Sequence, residues 1–110
     1  MNTSVIVKAQ FEAIHKWENA HGEVAFLADY HRHVFHVTLE VEVRHDDREI
    51  EFILLKRALE KYLNHIPKKS TLSCEMMAKG VLQWVSATYG ARTCSCSIFE
   101  DGENGAKVYS

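Results

Sequence analysis

The fold of this protein is decided by residues 30–44, which read YHRHVFHVTLEVEVR. The even-numbered positions are mostly polar, and the apolar residues take the odd-numbered positions: Phe35, Val37, Leu39, Val41 and Val43. Alternation with a period of two predicts a long β-strand with one buried face. His31 and His33 extend that face to the start of the strand.

The segment before this strand shows the same alternation. Residues 4–15 place apolar side chains on one face, and His15 ends the series on that face. We therefore expect a second strand beside the first. Residues 16–29 break the pattern, which predicts a long loop.

The segment after it changes to helical spacing. Apolar residues between Phe52 and Ile66 recur every three or four positions, and Pro67 ends this helix. A second helix is expected to begin near Ser73 and to end at Gly90. Residues 92–100 alternate again, and residues 106–110 form a short last strand after a turn. The order predicts a single α+β domain over residues 1–110, with a four-stranded antiparallel sheet covered on one face by two helices.

Composition excludes several classes of function. The chain has 110 residues, with 13 basic and 15 acidic side chains, so no strong positive field attracts nucleic acid or an anionic membrane. No apolar run approaches the roughly 20 residues of a membrane helix. Three cysteines and the lack of a signal-peptide pattern at the first residues favour a cytoplasmic location.

Three of the seven histidines are candidate metal ligands. His31 and His33 are two residues apart on a strand, so both leave the same face, and His15 ends the neighbouring strand on the matching face. Three neutral imidazoles with water in the fourth position form an open catalytic zinc site. The alternative is a solvated strand end whose histidines bind nothing. We expect the other four, His21, His36, His45 and His65, to lie on the surface.

Several short segments resemble the 6-pyruvoyl tetrahydropterin synthase family, which includes the 6-carboxytetrahydropterin synthases of queuosine biosynthesis. In chain order, FEAIH (11–15) resembles F-x-A-x-H, HRHVF (31–35) resembles H-G-H-N-Y, EIEFILLK (49–56) resembles V-I-D-F-x-x-L-K, SCEMMA (73–78) resembles T-x-E-N-L-A, and Phe99-Glu100 matches a late glutamate.

The resemblance implies a T-fold of order ββααββ that assembles into trimers or hexamers, with active sites between subunits. By position, His15, His31 and His33 would hold zinc (Zn2+). Glu100 would bind the ring of a pterin substrate, with Glu75 nearby. Outside the resemblance, Glu75 is a first-turn carboxylate that favours the helix dipole, and Glu100 is a solvated strand end.

The chain departs from the family where protons are transferred. The family's catalytic cysteine corresponds to Leu27, and its aspartate–histidine pair is not retained. Asp29 and His65 are the substitute acid–base candidates. The leading hypothesis is a zinc-dependent lyase acting on dihydroneopterin triphosphate or a related pterin. The alternatives are a catalytically impaired homologue that binds zinc and a pterin or purine, and an oligomeric scaffold.

Overall fold

A computed structural model describes residues 1–110 as one mixed sheet with helices on one side. The elements are, in chain order, β1 (Thr3–His15), a 3₁₀ helix (Gly22–Ala28), β2 (His31–Val43), α1 (Phe52–Leu63), β3 (Lys69–Ser70), α2 (Cys74–Tyr89), β4 (Cys94–Glu100) and β5 (Asn104–Tyr109). The two long strands β1 and β2 pair over their whole length, from Thr3 opposite Val43 to His15 opposite His31. Their bounds agree with the predicted strands to within one residue at each end.

The ends of the helices follow from side-chain capping. The Glu51 carboxylate accepts a hydrogen bond from the Leu54 backbone N–H at the start of α1. The Ser73 hydroxyl accepts one from the Met76 N–H, which confirms the predicted start of α2. Gly90, at φ +84°, ends α2 in a backbone region that favours glycine. None of the helices has the length and apolar character that a bilayer-spanning segment needs.

The core lies between one face of the sheet and the two α-helices. It contains 20 buried apolar residues, among them the odd-numbered residues of β2 from Phe35 to Val41. The helices contribute Leu55, Leu59 and Leu63 from α1 and Met77, Ala78, Val81 and Val85 from α2. The predicted buried face of β2 is therefore confirmed. The histidines at its start lie on the same face.

The predicted four-stranded antiparallel sheet of a T-fold, in the order ββααββ, is wrong. The sheet has five strands in the order β3-β1-β2-β4-β5, and β3 lies between the two α-helices in the chain. It is a mixed sheet because β3 runs parallel to β1, with Lys69 opposite Ile14 and Ser70 opposite His15. The sequence missed β3 because two polar residues show no alternation. It also missed the 3₁₀ helix within the predicted loop 16–29. The α+β class itself is retained.

Candidate metal centre

A cluster of three histidines and one glutamate lies at the end of the sheet where β1 finishes and β2 begins. His15 is directly opposite His31, and His33 is two residues further along β2 on the same face. Glu100 joins them from the end of β4. One possible ligand atom from each side chain lies within 4.8 Å of the others. The structure thus brings the three predicted histidines together and adds Glu100 to them.

In each of the three histidines, the Nδ1 nitrogen makes a hydrogen bond that favours one position of the ring proton. His15 Nδ1 lies 2.9 Å from the Leu72 carbonyl oxygen, and His31 Nδ1 lies 2.9 Å from the Asp29 carbonyl oxygen. A carbonyl oxygen can only accept, so Nδ1 carries the proton in both rings. The Nε2 atom of each neutral ring is then left with a free lone pair. This is the protonation pattern of a metal-ligating histidine.

The third histidine is held by a carboxylate. His33 Nδ1 lies 2.6 Å from Asp101 Oδ2, and Asp101 Oδ1 accepts a hydrogen bond from the Val34 N–H at 3.0 Å. The hydrogen bond from His33, followed by that from Val34, lowers the pKa of Asp101 from its usual value. Asp101 is therefore an ionised acceptor at neutral pH, and it favours a proton on His33 Nδ1.

The Nε2 atoms of two of the histidines face the Glu100 carboxylate. His33 Nε2 is buried and lies 2.9 Å from Glu100 Oε2, and His15 Nε2 lies 3.5 Å from Oε1. Lone pairs on both sides of so short a contact repel each other unless a proton or a cation lies between them. With His31, the cluster offers three nitrogens and one oxygen, a set that could hold a divalent metal ion.

The spacing of these atoms sets how far the side chains would move to bind such an ion. Zinc binds imidazole nitrogen at about 2.0–2.1 Å and carboxylate oxygen at about 2.0–2.2 Å, so the ligand atoms of a tetrahedral site lie roughly 3.4 Å apart. The ligand atoms of the cluster all lie within 4.8 Å of one another. Binding zinc in that geometry would therefore draw the most widely spaced side chains together by about 1 Å.

One buried aromatic ring and one buried thiol lie beside the cluster. The Phe35 ring, which is fully buried, lies edge-on to His15 and His33 at centroid distances of 5.2 and 5.8 Å. The Cys74 thiol lies 3.9 Å from Glu100 Oε1. Burial, and then the negative charge of Glu100, raises the pKa of Cys74 to about 12. The thiol is therefore a neutral, weak hydrogen-bond donor to Glu100.

The outer side of the same sheet end carries cations and exposed aromatic rings. Lys16 Nζ and Lys69 Nζ lie 4.6 and 4.3 Å from the centre of the Tyr30 ring. Trp17 is 47% exposed and Tyr30 is 43% exposed. Lys16 also lies near Glu18, with Nζ 3.4 Å from Oε1. Positive charge and planar apolar surface are thus available beside the cluster.

The other predicted site residues lie outside the cluster. Glu75 is exposed in the first turn of α2, next to Cys74. Asp29 contributes its backbone carbonyl to His31, and its exposed carboxylate is not one of the four ligand groups. His65 is exposed just beyond α1, where its Nδ1 hydrogen-bonds the Lys61 carbonyl oxygen at 2.8 Å. Neither acid–base candidate is therefore one of the four clustered groups.

Two contributors to the site were missed from the sequence. From the sequence, Asp101 belongs only to the turn that follows residues 92–100, although a carboxylate next to the candidate site residue Glu100 is a signal for a supporting residue. The sequence carries no such signal for the Leu72 carbonyl, because every residue type has a backbone carbonyl.

A cavity of about 580 Å³ is separate from the cluster. Its polar lining combines residues of β1 and β2 with residues of α1: Lys8, Gln10, His36, Thr38, Lys56 and Glu60. No cluster residue lines it.

No protein-family model and no curated protein matches this sequence.

Proposed function

We propose that this protein binds one zinc ion through His15, His31 and His33, with Glu100 as a fourth ligand. The observation that carries the proposal is the convergence of four ligand atoms within 4.8 Å of one another, with the buried Nε2 atom of His33 only 2.9 Å from a Glu100 carboxylate oxygen. Because leaving a buried polar group unsatisfied costs free energy, a cation bound by both groups would stabilise this arrangement. Three imidazoles and a carboxylate suit a tetrahedral zinc ion.

Metal analysis tests this proposal directly. Protein purified without a histidine tag should contain about one zinc per chain, given the tight binding of such sites. His33→Ala should lose most of the metal, whereas His36→Ala should retain it, because His36 is on the same strand but on the opposite face. Less than about 0.2 zinc per chain in the unaltered protein, after incubation with zinc and removal of the excess, would contradict the proposal.

For the reaction, we propose the lyase chemistry that the family resemblance implies, on dihydroneopterin triphosphate or a related pterin. When bound, zinc polarises substrate oxygens and makes adjacent protons more acidic. Trp17 and Tyr30 offer planar surface on which a pterin ring can stack, and Lys16 and Lys69 offer positive charge for phosphates. Asp29, beside His31, and the more distant His65 are the residues proposed to move protons.

Incubation with dihydroneopterin triphosphate, followed by measurement of released triphosphate, tests the reaction. Turnover should depend on zinc and should fall in Lys69→Met, with the effect mainly on KM. Absence of turnover above that of His33→Ala, in protein that contains zinc, would contradict the lyase proposal and leave metal binding intact.

A second candidate function is metal and pterin binding without catalysis. It is favoured by the four protein ligands, because a catalytic zinc site usually keeps one position open for water or substrate. Leu27, which replaces the family's catalytic cysteine, also favours it. Binding of a pterin to the zinc-loaded protein, measured by calorimetry without turnover, is the result expected for this candidate.

Glu100 has two proposed roles that an experiment separates. As a ligand of the metal ion, its carboxylate binds zinc, and Glu100→Gln should weaken zinc binding. If Glu100 is instead the pterin anchor that the resemblance implies, Glu100→Gln should weaken pterin binding and leave zinc binding unchanged. Glu75→Gln is the matched control for zinc affinity. Glu75 is proposed to lie near the pterin, and its exposed carboxylate contributes no ligand atom to the cluster.

We also propose that the protein forms a homo-oligomer, a trimer or hexamer, in the cytoplasm. Support for assembly comes from the sheet edges: β3 pairs with β1 only at Ile14 and His15, and β5 has a neighbour on one side only. Unpaired strand edges are surfaces on which further chains can pair. The three free cysteines fit a reducing compartment. Light scattering after size-exclusion chromatography should give three or six times the chain mass, and a monomer would contradict the proposal.

A further inference from the structure

Asp101 connects the end of β4 to the start of β2 through three hydrogen bonds. Its Oδ2 atom accepts from His33 Nδ1 at 2.6 Å, and its Oδ1 atom accepts from the Val34 N–H at 3.0 Å. Its own backbone N–H donates to the Val34 carbonyl oxygen at 2.7 Å. Both carboxylate oxygens are therefore used, each by a different donor.

The backbone at Asp101 has an uncommon conformation. Its φ is +54°, in the left-handed region, and Gly102 follows at +73°. Residues other than glycine rarely adopt this region, although aspartate and asparagine tolerate it best. Such conformations cluster at functional sites, where the surrounding contacts maintain them. Here the turn is what directs the carboxylate towards His33.

We propose that Asp101 is a positioning residue that fixes His33 in the tautomer protonated on Nδ1, so that Nε2 presents its lone pair to the metal. The inference deepens the proposed metal site and rests on it for its function. It does not depend on which metal or substrate is bound. Carboxylates that hold the outer nitrogen of a ligating histidine orient the ring and strengthen it as a ligand.

The substitution Asp101→Asn should reverse the tautomer while keeping the turn. The amide side chain that it introduces has one acceptor oxygen, which the Val34 N–H already requires, so the NH₂ group would face His33 Nδ1. An NH₂ group only donates, and Nδ1 would have to accept. The ring proton would then move to Nε2, where it occupies the lone pair that the metal needs. Asparagine tolerates positive φ, so the backbone has little reason to rearrange.

Nitrogen NMR of the metal-free protein gives a direct readout. Long-range ¹H–¹⁵N spectra distinguish the two tautomers of a neutral imidazole, and His33 is assigned through its disappearance in His33→Ala. In the unaltered protein His33 should be protonated on Nδ1, and in Asp101→Asn on Nε2. Glu103→Gln is the matched control, because it removes one negative charge from the same exposed turn and should leave the tautomer unchanged.

Zinc affinity, measured by competition with a chelating dye, is the second readout. Asp101→Asn should bind zinc about 10–100 times more weakly than the unaltered protein. Glu103→Gln should bind it as tightly as the unaltered protein. Asp101→Gly, in which glycine tolerates the positive φ, serves as a second variant if the asparagine form fails to fold, and it should also bind zinc more weakly.

The results separate this inference from the proposed function. A His33 that stays protonated on Nδ1 in Asp101→Asn, or unchanged zinc affinity in both Asp101 variants, would overturn the role of Asp101. An unaltered protein that binds no zinc would overturn the proposed function, while the NMR experiment would still decide whether Asp101 sets the tautomer.

Discussion

Zinc should raise the melting temperature of this protein, because the proposed ligands come from three strands that separate on unfolding. His15 lies on β1, His31 and His33 on β2, and Glu100 on β4. An ion that binds only the folded chain adds about 2.7 kcal/mol at a free concentration 100 times its Kd. With an unfolding entropy of about 2.1 cal/mol/K per residue, this corresponds to a rise in Tm of roughly 12 °C near 60 °C. Each further tenfold increase in free zinc should add about 6 °C.

Differential scanning calorimetry of chelator-treated protein, with zinc added in steps, measures this effect. His33→Ala removes one of the four proposed ligands, so its Tm should rise much less at the same zinc concentration. His36→Ala is the control, since it removes an imidazole from the other face of the same strand and should respond like the unaltered protein.

Three results would refute the reasoning. The first is a Tm of the unaltered protein that does not increase with zinc. The second is an equal increase in His33→Ala and His36→Ala, which would mean that zinc acts through histidines outside the cluster. A decrease of Tm would also contradict it, because it would show that zinc prefers the unfolded chain.

Three further predictions concern the scaffold that holds the site. Leu59 is fully buried in α1, so Leu59→Ala should reduce the free energy of unfolding by about 2.7–5.0 kcal/mol in urea titrations, and a loss below about 1 kcal/mol would contradict its place in the core. A hydrogen bond from the Arg92 side chain lowers the pKa of Glu49 from 4.5 to about 2. The free energy of folding that this ion pair contributes is therefore complete above pH 4.5 and is lost as the pH falls towards 2. The free energy of unfolding should therefore fall more steeply over this range than in Glu49→Gln, and parallel curves would argue against the ion pair. A Cβ on Gly105 would lie 2.0 Å from the Ile98 carbonyl oxygen, so Gly105→Ala should displace β5 and destabilise the protein by about 1–3 kcal/mol, whereas an unchanged thermal melt would contradict the close strand approach.

The three histidines of the candidate site could be predicted from the sequence because they depend on a local pattern. Side chains two residues apart on a strand share a face, so His31 and His33 had to leave the sheet together. The matching face of His15 was also expected, since a shift by one residue would have moved the buried residues of either strand to the solvent. The structure adds the exact register, which places His15 opposite His31, and the carboxylate of Glu100.

The support of the ligands could not be predicted, because it comes from residues far away in the chain. The Leu72 carbonyl that holds His15 is 57 residues away, and the Asp101 carboxylate that holds His33 is 68 residues away. The missed strand β3 matters for this reason: Ser70 pairs with His15, and its hydroxyl accepts a hydrogen bond from the Leu72 N–H. This short strand therefore holds the Leu72 backbone in place, and the Leu72 carbonyl in turn holds the proton of His15 on Nδ1.

Substitutions of the proposed ligands and substitutions of the distant groups that hold them should differ in their effects. A change within the strands, such as His33→Ala, removes a ligand and should abolish metal binding whatever the rest of the chain does. A change at Ser70 leaves every ligand in place but loosens the carbonyl that orients His15. Ser70→Ala should therefore weaken zinc binding, by less than the roughly 10–100 times expected when a supporting group is removed outright, because the backbone pairing of β3 with β1 remains. Competition with a chelating dye measures it, and an affinity as low as that of His33→Ala would show that β3 forms part of the ligand set rather than its support.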